Sequence, residues 1–280
     1  MIGPYRLSAF PKTKQGGNKA GVVLDAECLN DADMQRIAAE VGYSETAFVT
    51  TSAKADVKVR FFTPRQEVDL CGHATIATFN LMRDLKRLAP GRYTQETNAG
   101  ILAIDIREDT VFMQQNRPVF GAVLNGQDVP ACFRETDVID HALPIQLVST
   151  GLYEIFVPIR DVDTLHRLTP DLDAIARLAK AHGAIGVHAF ALDAEVAAYG
   201  RNFAPLVGID EESATGTSNG ALACYLHQYQ PPQTQYVLRQ GYSMNQPSEI
   251  IVNLSIEANQ ITAVWVGGSA IRIDTKEDNT

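Results

Sequence analysis

The chain repeats itself, and the repeat constrains its fold more than any single motif does. RFFTP at 60–64 leads through a short turn into DLCGHATIATFNLM, while RNFAP at 201–205 leads into ESATGTSNGALACYL, an offset of 141 residues. Upstream, IAAEVGYSETAF ends at Phe48 and IARLAKAHGAIGVHAF ends at Phe190, an offset of 142 in a chain of 280. A chance match of R-x-F-x-P would not bring along the preceding helix, the A-x-F strand start and the Gly-rich turn in the same order. Two segments agreeing on one period therefore mean duplication of a whole unit.

Each half reads as mixed α and β. DADMQRIAAEV (31–41) places Met34, Ile37, Ala38 and Val41 on one helical face, and DLDAIARLAKA (171–181) does the same with Leu172, Ile175, Ala176 and Ala179. Short runs rich in β-branched and aromatic residues, such as VKVRFF, ILAIDI, YEIFVPI and QYVLRQG, predict more strands than helices. ATIATFNLMRDL (74–85) and NGALACYLHQY (219–229) are apolar on most faces, so each is expected to run through the middle of its half, wrapped by its own sheet. The fold class is thus α+β, with an N-terminal half over 1–118, a C-terminal half over 119–264, and residues from about 265 to 280 free to return to the first. The segment 116–135, with its Pro, Gly and Asn, is the expected crossing, and the polar TKEDNT end is expected to fray.

Composition removes several functions. The net charge of −9, with no Lys/Arg cluster, argues against a nucleic-acid partner. No apolar run approaches a bilayer span and no basic-then-apolar leader opens the chain, so no membrane partner and a cytoplasmic location are expected. The four cysteines are widely spaced without C-x-x-C, and the six histidines lack H-x-x-x-H or H-E-x-x-H spacing, so neither a disulfide framework nor a metal is expected. A homodimer is the default assembly for an enzyme of this size.

Two Gly-rich turns feed apolar helices: Cys71-Gly72-His73, and its mate Thr215-Gly216-Thr217. Helix starts carry unpaired N–H groups, and small residues let a ligand carboxylate approach them; the alternative is that the glycines only make tight turns and the hydroxyls are N-caps. Glu45, next to Ser44, opens an otherwise apolar strand, and its counterpart at the 142 offset is Val187. An acid kept in one copy alone reads as an asymmetrically placed acid/base group, against the plainer reading of a solvated strand-edge residue. Cys71 at a helix start is either a small buried residue or a thiolate base. His73 either donates to a substrate or caps its helix. Of the acids flanking the turns, Glu67, Asp69, Asp210 and Glu211 are expected to be solvated, and Glu212 is the one expected to bind substrate.

GNKAGVVL (17–24), YSETAFV (43–49), RFFTPRQEVDLCGHAT (60–75) and EESATGTSNGAL (211–222) resemble, in order and approximate spacing, the PhzF-like phenazine biosynthesis family, which is related to diaminopimelate epimerase. The resemblance implies two pseudo-symmetric, diaminopimelate epimerase-like halves, each a curled mixed or antiparallel sheet around a central helix, with the site in the cleft between them. It implies a cofactor-independent isomerase that moves a proton at carbon on a small carboxylate such as trans-2,3-dihydro-3-hydroxyanthranilate. The glutamate of the SET motif, here Glu45, would carry the proton, while Asn18, Gly72, His73, Glu212, Gly216 and Thr217 would bind substrate, with Cys71, Thr215 and Ser44 as further candidates. Lys19 stands where the family has proline, Glu212 where it has aspartate and Ser213 where it has proline. Thr215 occupies the place of the epimerase's second cysteine, which argues against epimerisation by a thiol pair. An amino-acid epimerase or racemase, and a catalytically silent ligand-binding protein, are the remaining readings.

Overall fold

A computed structural model describes residues 3–126 and 129–273; the TKEDNT end expected to fray lies outside the described residues. In chain order the elements are β1 (Tyr5–Ala9), β2 (Asn18–Val23), α1 (Asp31–Val41), β3 (Glu45–Thr50), β4 (Val57–Phe62), β5 (Glu67–Val68), α2 (Gly72–Asp84), β6 (Gly91–Thr97), β7 (Gly100–Ile106) and β8 (Val111–Gln115). There follow β9 (Val119–Val123), β10 (Gln146–Ser149), β11 (Tyr153–Pro158), α3 (Val162–Arg167), α4 (Leu172–His182), β12 (Val187–Leu192), β13 (Ala198–Ala204) and β14 (Ile209–Glu212). The chain closes with α5 (Gly216–Tyr229), β15 (Gln235–Gln240), β16 (Ser248–Glu257), β17 (Gln260–Gly268) and β18 (Ala270–Arg272).

Two units result: residues up to Gln114 together with those from Gly267 onward, and Gln115–Val266. The segment 116–135 lies inside the second unit, where β9 pairs with β10.

The two units use one pairing scheme. In the first, β1 and β2 are antiparallel, β2 and β3 parallel, β3 and β4 antiparallel, β4 and β6 parallel, and β6 and β7 antiparallel. In the second, β10 and β11, β11 and β12, β12 and β13, β13 and β15, and β15 and β16 repeat those relations in the same order. Helix ends repeat as well. α1 and α4 start on the side-chain oxygens of Asn30 and Asp171, and each ends on a glycine, Gly42 at φ 70° and Gly183 at φ 65°, in the left-handed region that glycine enters without a Cβ penalty.

The middle helix of each unit behaves as its composition dictates. α2 is buried from His73 through Met82 and packs on β1, β2, β3, β7 and β18; α5 is buried over most of Gly216–Leu226 and packs on β10 and β16. An amphipathic helix would leave a polar face wet, whereas these two bury apolar residues all round, which is why they sit inside their own sheets. α1 instead lies on one face, closing a core of Met34, Ala38, Phe48 and Phe62. In the second unit Ile175, Leu178 and Ala179 of α4 pack with Val157, Leu165 and Phe203. None of the helices among the described residues is long and apolar enough to cross a membrane.

Candidate active site

In the first unit four of the residues singled out in the sequence meet around the imidazole of a fifth, His73. β3 runs parallel to β2 with Glu45 opposite Ala20, so the carboxylate enters at the same end of the sheet as Asn18, the first residue of β2. α2 begins beside them: Cys71 is its extended N-cap at φ −140° and ψ 117°, and His73 is the second helical residue. His73 Nε2 lies 3.3 Å from Glu45 Oε2 and 3.4 Å from Ser44 Oγ. Its Nδ1 lies 3.3 Å from Asn18 Nδ2 and 3.4 Å from Cys71 Sγ.

The Asn18 amide nitrogen can only donate, so Nδ1 accepts from it, and Nε2 is left on the side of Ser44 and Glu45. Asn18, Cys71 and His73 are buried, while the Glu45 side chain keeps 17% of its surface exposed. Glu45 Oε2 itself is covered and makes no hydrogen bond. A covered carboxylate oxygen that is not taken up in a hydrogen bond is placed to accept a proton from a substrate, as a proton-abstracting residue must. Gly72 stands between Cys71 and His73, and a Cβ there would come no closer than 3.7 Å to Met113 Cε. Glu67, by contrast, is taken up in a two-pronged pair with Arg60 at 2.7 and 2.8 Å, which holds its carboxyl below the usual range.

Glu45, Cys71 and His73 offer donor atoms within 4.8 Å of one another, a set that can hold a metal ion. Sequence spacing shows no such set, because its members come from strand β3 and from the turn into α2.

The second unit carries a different constellation at the matching helix. Thr215 is the extended N-cap of α5, at φ −121° and ψ 102°, and its hydroxyl does not cap the helix. It donates instead to Glu212 Oε2 at 2.8 Å. Gln240 ties the turn together, donating to the Glu212 carbonyl at 2.7 Å and to Thr215 Oγ1 at 3.1 Å while accepting from Asn219 at 2.7 Å. Gly216 and Thr217 open the helix, and the Thr217 carbonyl accepts from Thr150 Oγ1 at 3.2 Å. Glu211 pairs with Arg201 at 2.8 Å through both guanidinium prongs. Val187, the counterpart of Glu45, is fully buried and opens β12 opposite Ile155, just as Glu45 opens β3 opposite Ala20.

Sequence reasoning missed a polar knot deeper in this unit, formed by Glu154 of β11, His188 of β12, Asn202 of β13 and Ser218 of α5. The sequence carries only a faint signal, a lone acid in the apolar run YEIFVPI. Burial pushes the Glu154 carboxyl up to about 7, against hydrogen bonds from Ser218 and Asn202 that favour the ion. Burial pushes His188 down to about 3, so its imidazole is neutral.

The model of the PhzC-PhzF family, described as phenazine biosynthesis-like protein, matches residues 7–275. An uncharacterised isomerase of Clostridium acetobutylicum is 34% identical, covering 98% of this chain and 96% of its own. The trans-2,3-dihydro-3-hydroxyanthranilate isomerase of Pseudomonas chlororaphis is 27% identical, with 95% of each chain covered. Among solved structures, the Bacillus anthracis phenazine biosynthesis protein of the PhzF family superposes with a TM-score of 0.88 at 30% identity, covering 97% of this chain and 96% of that one. With its duplicated α+β units and a match over nearly its whole length, the chain belongs to the PhzC-PhzF family of phenazine biosynthesis-like proteins and is an isomerase of that family.

Proposed function

We propose that this isomerase moves a proton at carbon on a small carboxylate of the trans-2,3-dihydro-3-hydroxyanthranilate type, with Glu45 as the group that takes and returns it. The observation that carries the reading is Glu45 Oε2, covered, without a hydrogen bond, and 3.3 Å from an imidazole nitrogen. A carboxylate there accepts the proton of an acidified C–H. The electron pair left behind delocalises into the neighbouring double bond, and the resulting carboxylic acid returns the proton at a carbon further along the conjugated system. Charge and atoms balance without a second reactant, and the enzyme ends as it began.

His73 lies 3.3 Å from the carboxylate, and Asn18 orients the imidazole by donating to its other nitrogen. The opening turns of α2 at Gly72 and His73 and of α5 at Gly216 and Thr217 offer N–H groups suited to a substrate carboxylate or to developing negative charge. Asn18 is a further donor to the substrate carboxylate, and Glu212 suits a substrate amine. That one relative is named for the dihydrohydroxyanthranilate reaction supports this substrate class.

The test is turnover and binding of trans-2,3-dihydro-3-hydroxyanthranilate by wild type and E45Q. Retained binding with turnover lost supports the reading; retained turnover overturns it. A second reading has Cys71 as a thiolate base, favoured by the 3.4 Å contact between its sulfur and His73 Nδ1. C71S abolishes turnover on that reading and leaves most of it on the first.

A further inference from the structure

Glu154 is an acid in a place built for a neutral group. It lies in β11 between β10, where Val148 is opposite, and β12, and it is 3% exposed. Oε1 accepts from Asn202 Nδ2 at 2.8 Å, whereas Oε2 is buried without a hydrogen-bond partner. The same amide nitrogen lies 3.2 Å from Ser218 Oγ and 3.3 Å from His188 Nδ1.

The Asn202 amide thus ties together the carboxyl, the hydroxyl and the imidazole, and the charge-favouring contacts Glu154 receives are hydrogen bonds from Asn202 and Ser218. His188 brings no charge to help: it is fully buried, neutral, and its Nε2 has no partner. The charged group acting on Glu154 from the neighbouring β14 is Glu212, whose carboxylate works in the same direction as burial. An ionised Glu154 would leave a charge with a bare oxygen in an apolar strand beside a second carboxylate. A protonated one removes that charge and still accepts from Asn202 through its carbonyl oxygen.

We infer that Glu154 is held as a neutral carboxylic acid and, through Asn202 and Ser218, is a positioning residue for the opening turn of α5. Ser218 follows Thr217 directly, so a shift of its hydroxyl is a shift of the turn that carries Thr215, Gly216 and Thr217. Ionisation of Glu154 places negative charge behind N–H groups that face an incoming carboxylate, and so weakens its binding. The positioning role rests on the reading of that turn as a carboxylate site; the protonation state does not.

The experiment has two arms that fail separately. Infrared spectroscopy of the full chain should show the carbonyl stretch of a neutral carboxyl group near pH 6, fading by pH 8 and absent from E154Q. No such band, or one that persists in E154Q, overturns the inference. Should E154Q fail to fold, wild type labelled with carbon-13 glutamate serves instead: one carboxyl carbon titrating near neutrality is expected, and none overturns it. In the second arm, anthranilate is titrated as a carboxylate probe. Because only the neutral form leaves the turn competent, wild type should bind about tenfold more weakly at pH 8 than at pH 6, while E154Q binds equally at both. An identical pH response in the two proteins removes the positioning role. Absence of binding by both, with the infrared band present, rejects the carboxylate site and leaves Glu154 a neutral acid without that role.

Discussion

Glu45 and Glu154 are both acids set into apolar strands, one in each unit, and the units treat them in opposite ways. Glu45 opens its strand, keeps part of its surface exposed, and has an imidazole for a neighbour. Glu154 sits within its strand, is 3% exposed, and meets amide, hydroxyl and a neutral histidine. The backbone scheme around them is the same, but they sit on different strands of it: Glu45 is on β3, whose match is β12, and Glu154 is on β11, whose match is β2. The lesson is that a duplicated fold fixes where strands and helices go, and leaves each copy free to place its acid on a different strand of the same parallel pair, a base in one and a stored proton in the other.

The largest expected effect breaks that comparison on the side of the first unit. E45Q should lose about 10²–10⁴-fold in turnover, the range over which one acid/base group acts, with folding unchanged by circular dichroism. E154Q should keep its activity at pH 6, because an amide preserves the neutral form.

The next concerns the arginines of the repeated R-x-F-x-P motif. Arg201 is 6% exposed, pairs with Glu211 and also donates to the carbonyls of Leu165 and Leu168, whereas Arg60 is 20% exposed and pairs with Glu67 and the exposed Asp31. R201A should cost about 3 kcal/mol by leaving a half-buried carboxylate and two carbonyls without their donor. R60A should cost about 1 kcal/mol or less. Denaturant titration of the two variants checks the ranking, and equal costs would mean that burial does not separate the copies.

The polar knot gives the second unit its own pH signature. Glu154 binds its proton to about pH 7 in the fold, against an ordinary value of 4.5, so unfolding releases a proton between those values. Its contribution is therefore full below 4.5 and is lost as pH rises to 7, by roughly 3 kcal/mol. His188 runs the other way: its contribution is full above 6.5 and lost as pH falls toward 3. Across 4.5 to 6.5 the two trends offset. E154Q should unmask the histidine limb and gain stability relative to wild type above neutrality, measured by denaturation over a pH series.

The smallest effects compare glycines in the two central helices. A Cβ on Gly220 of α5 would lie 2.3 Å from Gln115 Oε1 and 2.8 Å from Val266 Cγ2, so G220A should cost about 1–3 kcal/mol. On Gly72 of α2 the added carbon would make only an ordinary contact with Met113, and G72A should change stability by about 0.5 kcal/mol or less.

Much of this was legible in the sequence, for reasons that differ by residue. The repeat is written in turn and strand motifs, so the two units and their buried helices follow from pattern alone. Glu45 stood out because its counterpart is Val187, and asymmetry between copies is visible without coordinates. Glu154 has no such foil, since a lone acid in a short strand reads as the solvent-facing member of an alternating pair; only a strand covered on both faces makes it unusual. Asn202 and His188 were absorbed into strands for the same reason. The Thr215 hydroxyl was readable as a helix cap, and its turn toward Glu212 depends on Gln240, a residue 25 positions away that holds the turn from another strand.

The measurement that tests the central claim most directly is proton NMR of trans-2,3-dihydro-3-hydroxyanthranilate and a panel of amino-acid carboxylates in D₂O, with wild type and E45Q side by side. Glu45 as the proton-carrying group predicts deuterium entering a C–H position of the dihydroanthranilate with wild type and none with E45Q. Exchange that survives in E45Q, or a wild type that binds the compound and exchanges nothing, would contradict it.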